Sequence, residues 1–229
     1  MKEALIDKQT FQFLKSLAKN NNRPWFDNHK DAYLESQENM IAFVDRVILH
    51  MNKHDELEIK SGKKSLLRIY RDIRFSKDKT PYAPRFAFHF QRATKLKRGG
   101  YYANIKPGNS FIACGFFDPN KEDLKRIRLD IDSNYKEWNK LLKLKSIADN
   151  WGGLYGEQVA TKPMGFPIDH PAIGLLRFKQ FLFHHDFTDQ EVLSPDFAMD
   201  VNRIFKTARP FLNYMSELLT TNLNGELIV

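Results

Sequence analysis

The sequence predicts an α+β fold: an antiparallel β-meander of about four to six strands packed against N-terminal and C-terminal helices. Three observations predict it. Apolar residues recur with a helical period over residues 8–54, alternate with period two over much of 65–118, and return to a helical period after 119. The alternating segments are joined by connections of only a few residues, which favour antiparallel neighbours.

Asp7 is placed to cap a first helix whose apolar positions are Phe11, Leu14, Leu17 and Ala18. Asn20-Asn21-Asn22 ends it, and Pro24 suits the first turn of a second helix. That helix is expected to reach about His54 with a break near Ser36, burying Trp25, Tyr33, Met40, Val44, Val47, Ile48 and Met51. Ser65 to Asp72 reads as a strand. Phe75 to Pro84 is too polar and too rich in turn residues for either element and reads as an ordered loop. Arg85 to Gln91 alternates cleanly, with Phe86, Phe88 and Phe90 on one face and Ala87, His89 and Gln91 on the other.

Lys97-Arg98-Gly99-Gly100 turns the chain into a strand over Tyr101 to Lys106. Pro107-Gly108-Asn109 is a tight turn before another strand, Phe111 to Phe117. Asp118-Pro119 supplies a cap and an N1 proline ahead of Leu124, Ile127 and Ile131, and a further helix is expected over Tyr135 to Leu144. Residues 151–170 hold Gly152, Gly153, Gly156, Gly165, Pro163 and Pro167, so they read as loop with room for a short strand at Glu157 to Ala160. Lys179 to His184 reads as one more strand. Ser194-Pro195 opens a final helix with Phe197, Val201, Ile204 and Phe205 inward and a kink near Pro210.

The 229 residues, without repeat or linker composition, fit one domain over 1–229. Hydrophobic residues make up 42% and aromatics 13%, which supplies a core and excludes global disorder. No run approaches the roughly 20 apolar residues of a membrane span. Met1 to Asp7 lacks an apolar signal-peptide core, and the single cysteine, Cys114, cannot form an internal disulfide. These features predict a cytoplasmic protein without a membrane partner.

Charge is distributed unevenly. Between Ser61 and Lys106 there are thirteen basic residues against two acids, Asp72 and Asp78, a net +11. The whole chain carries +8, so the remainder stands at −3. A local field of one sign concentrates anions.

The densest part of that segment runs Arg68-Ile69-Tyr70-Arg71-Asp72-Ile73-Arg74-Phe75-Ser76-Lys77-Asp78-Lys79-Thr80-Pro81-Tyr82. It resembles the signature of a family known as domain of unknown function 2461. Other matching pieces are Asn21-Asn22-Arg23-Pro24-Trp25-Phe26, Lys106-Pro107-Gly108, Leu124 with Ile127-Arg128 and Ile131, Lys162-Pro163 with Gly165-Phe166, and His170-Pro171. The family pattern has a basic residue after the Pro-Tyr pair, where this chain has Ala83. The resemblance implies membership and brings no activity, cofactor or catalytic residue with it.

Residue chemistry must carry the functional reading. Asp72 and Asp78 are expected to pair with nearby cations or to accept backbone N–H groups, holding the loop in shape. Arg68, Arg71, Arg74, Lys77 and Lys79 outnumber these acids, and arginine forks suit phosphate or carboxylate. With Asp72, Tyr82 and His89 they form the candidate ligand site. An anionic small molecule is the favoured partner. Nucleic acid on a basic, aromatic sheet and a non-catalytic interaction module remain alternatives. His184-His185-Asp186 alternates across a strand, which argues against a metal site. No phosphate-cradling glycine motif or dinucleotide fingerprint is present, so no cofactor is predicted. No reaction class follows.

Overall fold

Strict alternation decides the orientation of the sheet. In the computed structural model, which describes residues 5–222 and 224–228, β1 (Phe86–Gln91) buries Phe86, Phe88 and Phe90, while His89 and Gln91 stay accessible on the other face. Strands β2 (Gly100–Ile105), β3 (Ser110–Phe116) and β4 (Phe181–Phe187) complete a four-stranded antiparallel sheet in the order β1-β2-β3-β4. The meander lies within the expected range of strands, and helices flank the sheet as the α+β reading requires. At Gly115 (φ +129°) a Cβ would fall 2.2 Å from the carbonyl oxygen of Phe181, so close approach of β3 and β4 depends on glycine there.

The first helices come close to expectation. Helix α1 (Lys8–Lys19) buries Phe11, Leu14 and Leu17. Ala18 is exposed, and Phe13 and Thr10 take inward positions instead. The Asp7 side chain makes no capping bond; the Asp7 N–H donates 3.0 Å to Asn39 Oδ1, whose Nδ2 also donates 2.8 Å to the Leu5 carbonyl. Helix α2 (Arg23–Asn28) and α3 (Lys30–Met51) break at His29 rather than near Ser36. Ser36 is buried inside α3, one helical repeat from Tyr33 and Met40. A short α4 (Gly62–Ser65) follows.

The strand expected over Ser65 to Asp72 does not form as a ladder. Leu66 bridges Phe88 and Tyr70 bridges Tyr82, with single backbone bonds between. Three residues lie between Leu66 and Tyr70, but five lie between Tyr82 and Phe88. The extra residues bulge out at Ala83–Arg85, where the Arg85 N–H turns back 2.7 Å to the Ala83 carbonyl. Pro84 lies in that bulge and lacks the N–H a continuous ladder would use.

Helix α5 (Lys121–Leu142) joins two expected helices across a kink at Asn134 (φ −121°, ψ 28°). Its cap is Asn120, which accepts 2.9 Å bonds from the Glu122 and Asp123 N–H groups, and not Asp118. Helices α6 (Lys145–Trp151) and α7 (Ile173–Leu176) were not expected. Glu157 to Ala160 contributes one isolated bridge, Gln158 to Phe178. Helix α8 (Asp189–Val192) carries a capping box of Thr188 and Glu191. Helices α9 (Phe197–Thr207) and α10 (Arg209–Thr220) divide at Ala208, beside the kink expected at Pro210.

Contacts divide the chain into two compact units, Met1–Phe90 with Tyr102–Ile112 and Asp186–Arg203, and Gln91–Tyr101 with Ala113–His185 and Ile204–Val229. Their boundaries fall inside the four strands and α9, so no linker separates them in sequence. In the first unit Phe43 of α3 meets Phe88 edge-on and stacks on Phe197, while Tyr33 stacks near Phe86. In the second, Phe211 of α10 packs against Phe116, Trp138 and Phe183. Replacing Phe88 by Ala should cost about 3–5 kcal/mol through lost burial and a residual cavity. An unfolding midpoint in denaturant left unchanged by that substitution would contradict the orientation of the sheet.

Candidate functional site

The candidate loop belongs to the first unit and leaves the sheet between Arg71 and Pro81. The Arg71 N–H donates 2.9 Å to the Pro81 carbonyl, and Ala83 N–H donates 2.8 Å to Ile69, closing its base. Inside the loop the Arg71 guanidinium donates to the Asp78 carboxylate, to Thr80 Oγ1, to the Thr80 carbonyl at 3.2 Å and to Ser76 Oγ at 3.3 Å. One side chain thus satisfies acceptors from three loop residues. Asp78 also accepts from the Thr80 N–H at 2.9 Å and the Thr80 hydroxyl at 2.8 Å. Asp72 is paired as well: it takes the Arg74 N–H at 3.2 Å and its guanidinium at 2.6 Å. Lys79 Nζ donates 2.9 Å to the Ile73 carbonyl.

These bonds fix protonation states. The Asp78 carboxyl is lowered to about 2, first by the Thr80 N–H and hydroxyl and then by Arg71. Asp72 is lowered chiefly by the Arg74 guanidinium and N–H. Both carboxylates are well exposed, so the bonds set loop shape more than they add stability.

A groove of about 650 Å³ runs beside the loop, lined by Ile73, Asp78, Lys79, Thr80 and Pro81 on one side and by Asn21, Asn22 and Arg23 on the other. Asn21 ties the two walls together. Its Nδ2 donates 2.9 Å to the Tyr82 carbonyl and its Oδ1 accepts 3.1 Å from the Tyr82 N–H, as a neighbouring strand would. Asn22 caps α2 by accepting 3.0 Å from the Trp25 N–H. Arg23 is exposed and forms no ion pair among the described residues.

Two segments some fifty residues apart, Asn21 to Phe26 and Arg68 to Tyr82, therefore meet in one place. A family model described as conserved hypothetical protein, domain of unknown function 2461, matches residues 9–214, a span containing both. The chain belongs to this family. No curated protein and no solved structure matches it.

In this member of the domain of unknown function 2461 family, the eight predicted site residues separate. Lys79 lines the groove. Arg71 lies within the loop as its internal brace, and Asp72 and Arg74 pair with each other in the open. Arg68 and Lys77 are exposed. Tyr82 is 3% exposed, and its ring stacks on Phe26 with centroids 4.0 Å apart, so its side chain packs in the core. His89 is half-buried on the accessible face of β1 and does not line the groove. Asn21, Asn22 and Arg23 were missed as site residues. Their asparagines read as a helix stop, and the only signal was their place in the family pattern.

The basic segment is also less available than its count suggests. Arg92 is 5% exposed and donates to the Leu212 carbonyl at 3.1 Å, Ser216 Oγ at 3.0 Å and Asn213 Oδ1 at 2.7 Å. Arg98, in the turn between β1 and β2, pairs with Asp123. Elsewhere, His185 Nδ1 lies 2.6 Å from the Asn150 carbonyl, His184 packs beside Tyr155, and burial pushes the Cys114 thiol up.

The lowered Asp78 value gives a pH test. A carboxyl held below its ordinary 3.8 contributes order that is complete above that value and is lost as pH falls through about 2. Carbon NMR titration of the Asp78 carboxyl should show a midpoint near 2, and Arg71→Ala should raise it. A midpoint at the ordinary value in the unmodified protein would refute the bonding described.

Proposed function

We propose that this chain binds a phosphate- or carboxylate-bearing small molecule in the groove between the Asn21–Arg23 turn and the loop over 73–81. Arg23 carries the proposal. The loop's own carboxylates are engaged by Arg71 and Arg74, and the Arg23 guanidinium at the groove wall forms no ion pair among the described residues. A guanidinium fork presents paired donors that match the oxygens of phosphate or carboxylate. Lys79 spends one of its three donors on the Ile73 carbonyl and retains two. Asn22 accepts at its oxygen, so its amide nitrogen is a further donor beside Arg23.

The loop is braced without ligand, which lowers the ordering cost of binding. The proposal is one of binding and assigns no reaction. The single cysteine supports a reducing, cytoplasmic setting for it. Among the described residues no helix is long and apolar enough to cross a membrane.

Titration calorimetry with inorganic phosphate, pyrophosphate and a small dicarboxylate tests the proposal. Arg23→Ala should weaken binding about tenfold or more, the scale of a lost charged hydrogen bond, and Lys79→Ala should weaken it less. Lys95→Ala in the β1–β2 connection should change nothing. Absence of binding by the unmodified protein, or an equal loss in the Lys95 variant, would overturn it.

A further inference from the structure

Phe75 is 95% exposed, although it sits midway along a loop whose backbone is held by Arg71, Asp72, Asp78 and Lys79. A lone exposed apolar side chain is ordinary on a protein surface; what marks this one is its setting among cations. Cations surround it in sequence: Arg68, Arg74, Lys77 and Lys79 are all exposed. The Arg74 guanidinium lies 5.9 Å from the Phe75 ring centroid, a cation–π distance. Tyr70, at the base of the loop, is half exposed.

We infer that the anion taken by this loop is the backbone of single-stranded nucleic acid, with Phe75 as the stacking platform for one base. The inference rests on the preceding reading that Arg23 and Lys79 face an anion, and it extends that anion from a small molecule to the phosphate of an unpaired strand. An aromatic ring beside phosphate-binding cations is the arrangement that holds unpaired strands, because every base offers a π-face. Such stacking is sequence-tolerant.

Two other occupants fit less well. A membrane surface would be met by a broader apolar face, yet Phe75 is flanked directly by Arg74 and Ser76, and Lys77 follows. A second copy of this chain docking through the same loop would bring two cationic segments together at a cost in repulsion.

The test uses the full chain and an unlabelled thymidylate oligomer of about twelve nucleotides, within the usual site size of such surfaces. Phe75→Trp supplies the readout, with the unmodified protein and its three tryptophans as baseline. The oligomer should quench the new tryptophan. Phe75→Ala should weaken oligomer binding about 5- to 150-fold, the range of one lost stacking contact, without changing the thermal midpoint. Inorganic phosphate should bind the Phe75→Ala variant as before. With three or four phosphate contacts, log affinity should fall with log salt at a slope of about −2 to −3.

Loss of the oligomer signal with phosphate binding intact would overturn this inference and leave the groove reading standing. Loss of both in the unmodified protein would overturn both. A blue shift of the new tryptophan on phosphatidylserine vesicles, with no response to the oligomer, would assign the loop to a membrane surface and overturn the inference. Phe75-dependent self-association in sedimentation, without oligomer binding, would likewise overturn it in favour of a second copy.

Discussion

A segment that leaves a sheet and returns to it carries backbone and side-chain polar groups that the sheet no longer satisfies. In this chain one guanidinium meets much of that demand. Arg71 stands where the paired backbone ends, and its fork reaches Ser76, Asp78 and Thr80 across the loop. Asp78 then bonds Thr80, and Lys79 bonds Ile73, so each wall of the loop is tied to the other. The groove, the position of Lys79 and the exposure of Phe75 all depend on the shape this brace enforces. Lysine could not replace it, since a point charge lacks the planar set of donors that spans three residues.

The brace also decides which charges remain for a partner. The count of +11 treated each cation as equal, but Arg71 and Arg74 are neutralised in the loop and Arg98 by Asp123. Arg92 is enclosed by neutral oxygens of α10. What is left near the loop is Arg68, Lys77 and Lys79, with Arg23 supplied from a distant part of the sequence. The field is weaker than the sequence implied and more localised. Electrostatic attraction of this kind acts over about 8–10 Å at physiological salt, so location counts for more than the total.

Legibility followed the strength of the local pattern. Phe86, Phe88 and Phe90 announced β1, because period-two alternation of large apolar residues has no helical equivalent. The meander followed from short turns. The strand over Ser65 to Asp72 failed because its pairing depends on the partner segment, whose bulge at Ala83–Arg85 cannot be read from residues 65–72 themselves. The join of two helices into α5 was hidden for a similar reason: the Asp130 carboxylate takes bonds from Asn134, Trp138 and Tyr214, and the last lies 84 residues away. Within the site, Asp72 and Asp78 behaved as their local spacing required. The burial of Tyr82 was not legible, because it is set by Phe26, which no local rule connects to it.

Arg23 shows most directly why the site could be read only in part. Beside three asparagines and ahead of a proline, it looks like the start of a helix, and it is: α1 ends at Lys19 and Arg23 opens α2. Its place at the groove wall arises only when the Asn21 side chain pairs with the Tyr82 backbone and brings the turn against the loop. That contact costs little to form, since an amide in this geometry satisfies one donor and one acceptor that a strand edge would otherwise leave to water. An edge closed in this way cannot recruit another strand, and the space beside it is lined by Arg23 and Lys79 together with Asp78 and neutral residues. The same pair of hydrogen bonds therefore closes the Tyr82 backbone edge, ahead of β1, and brings the two walls of the groove together.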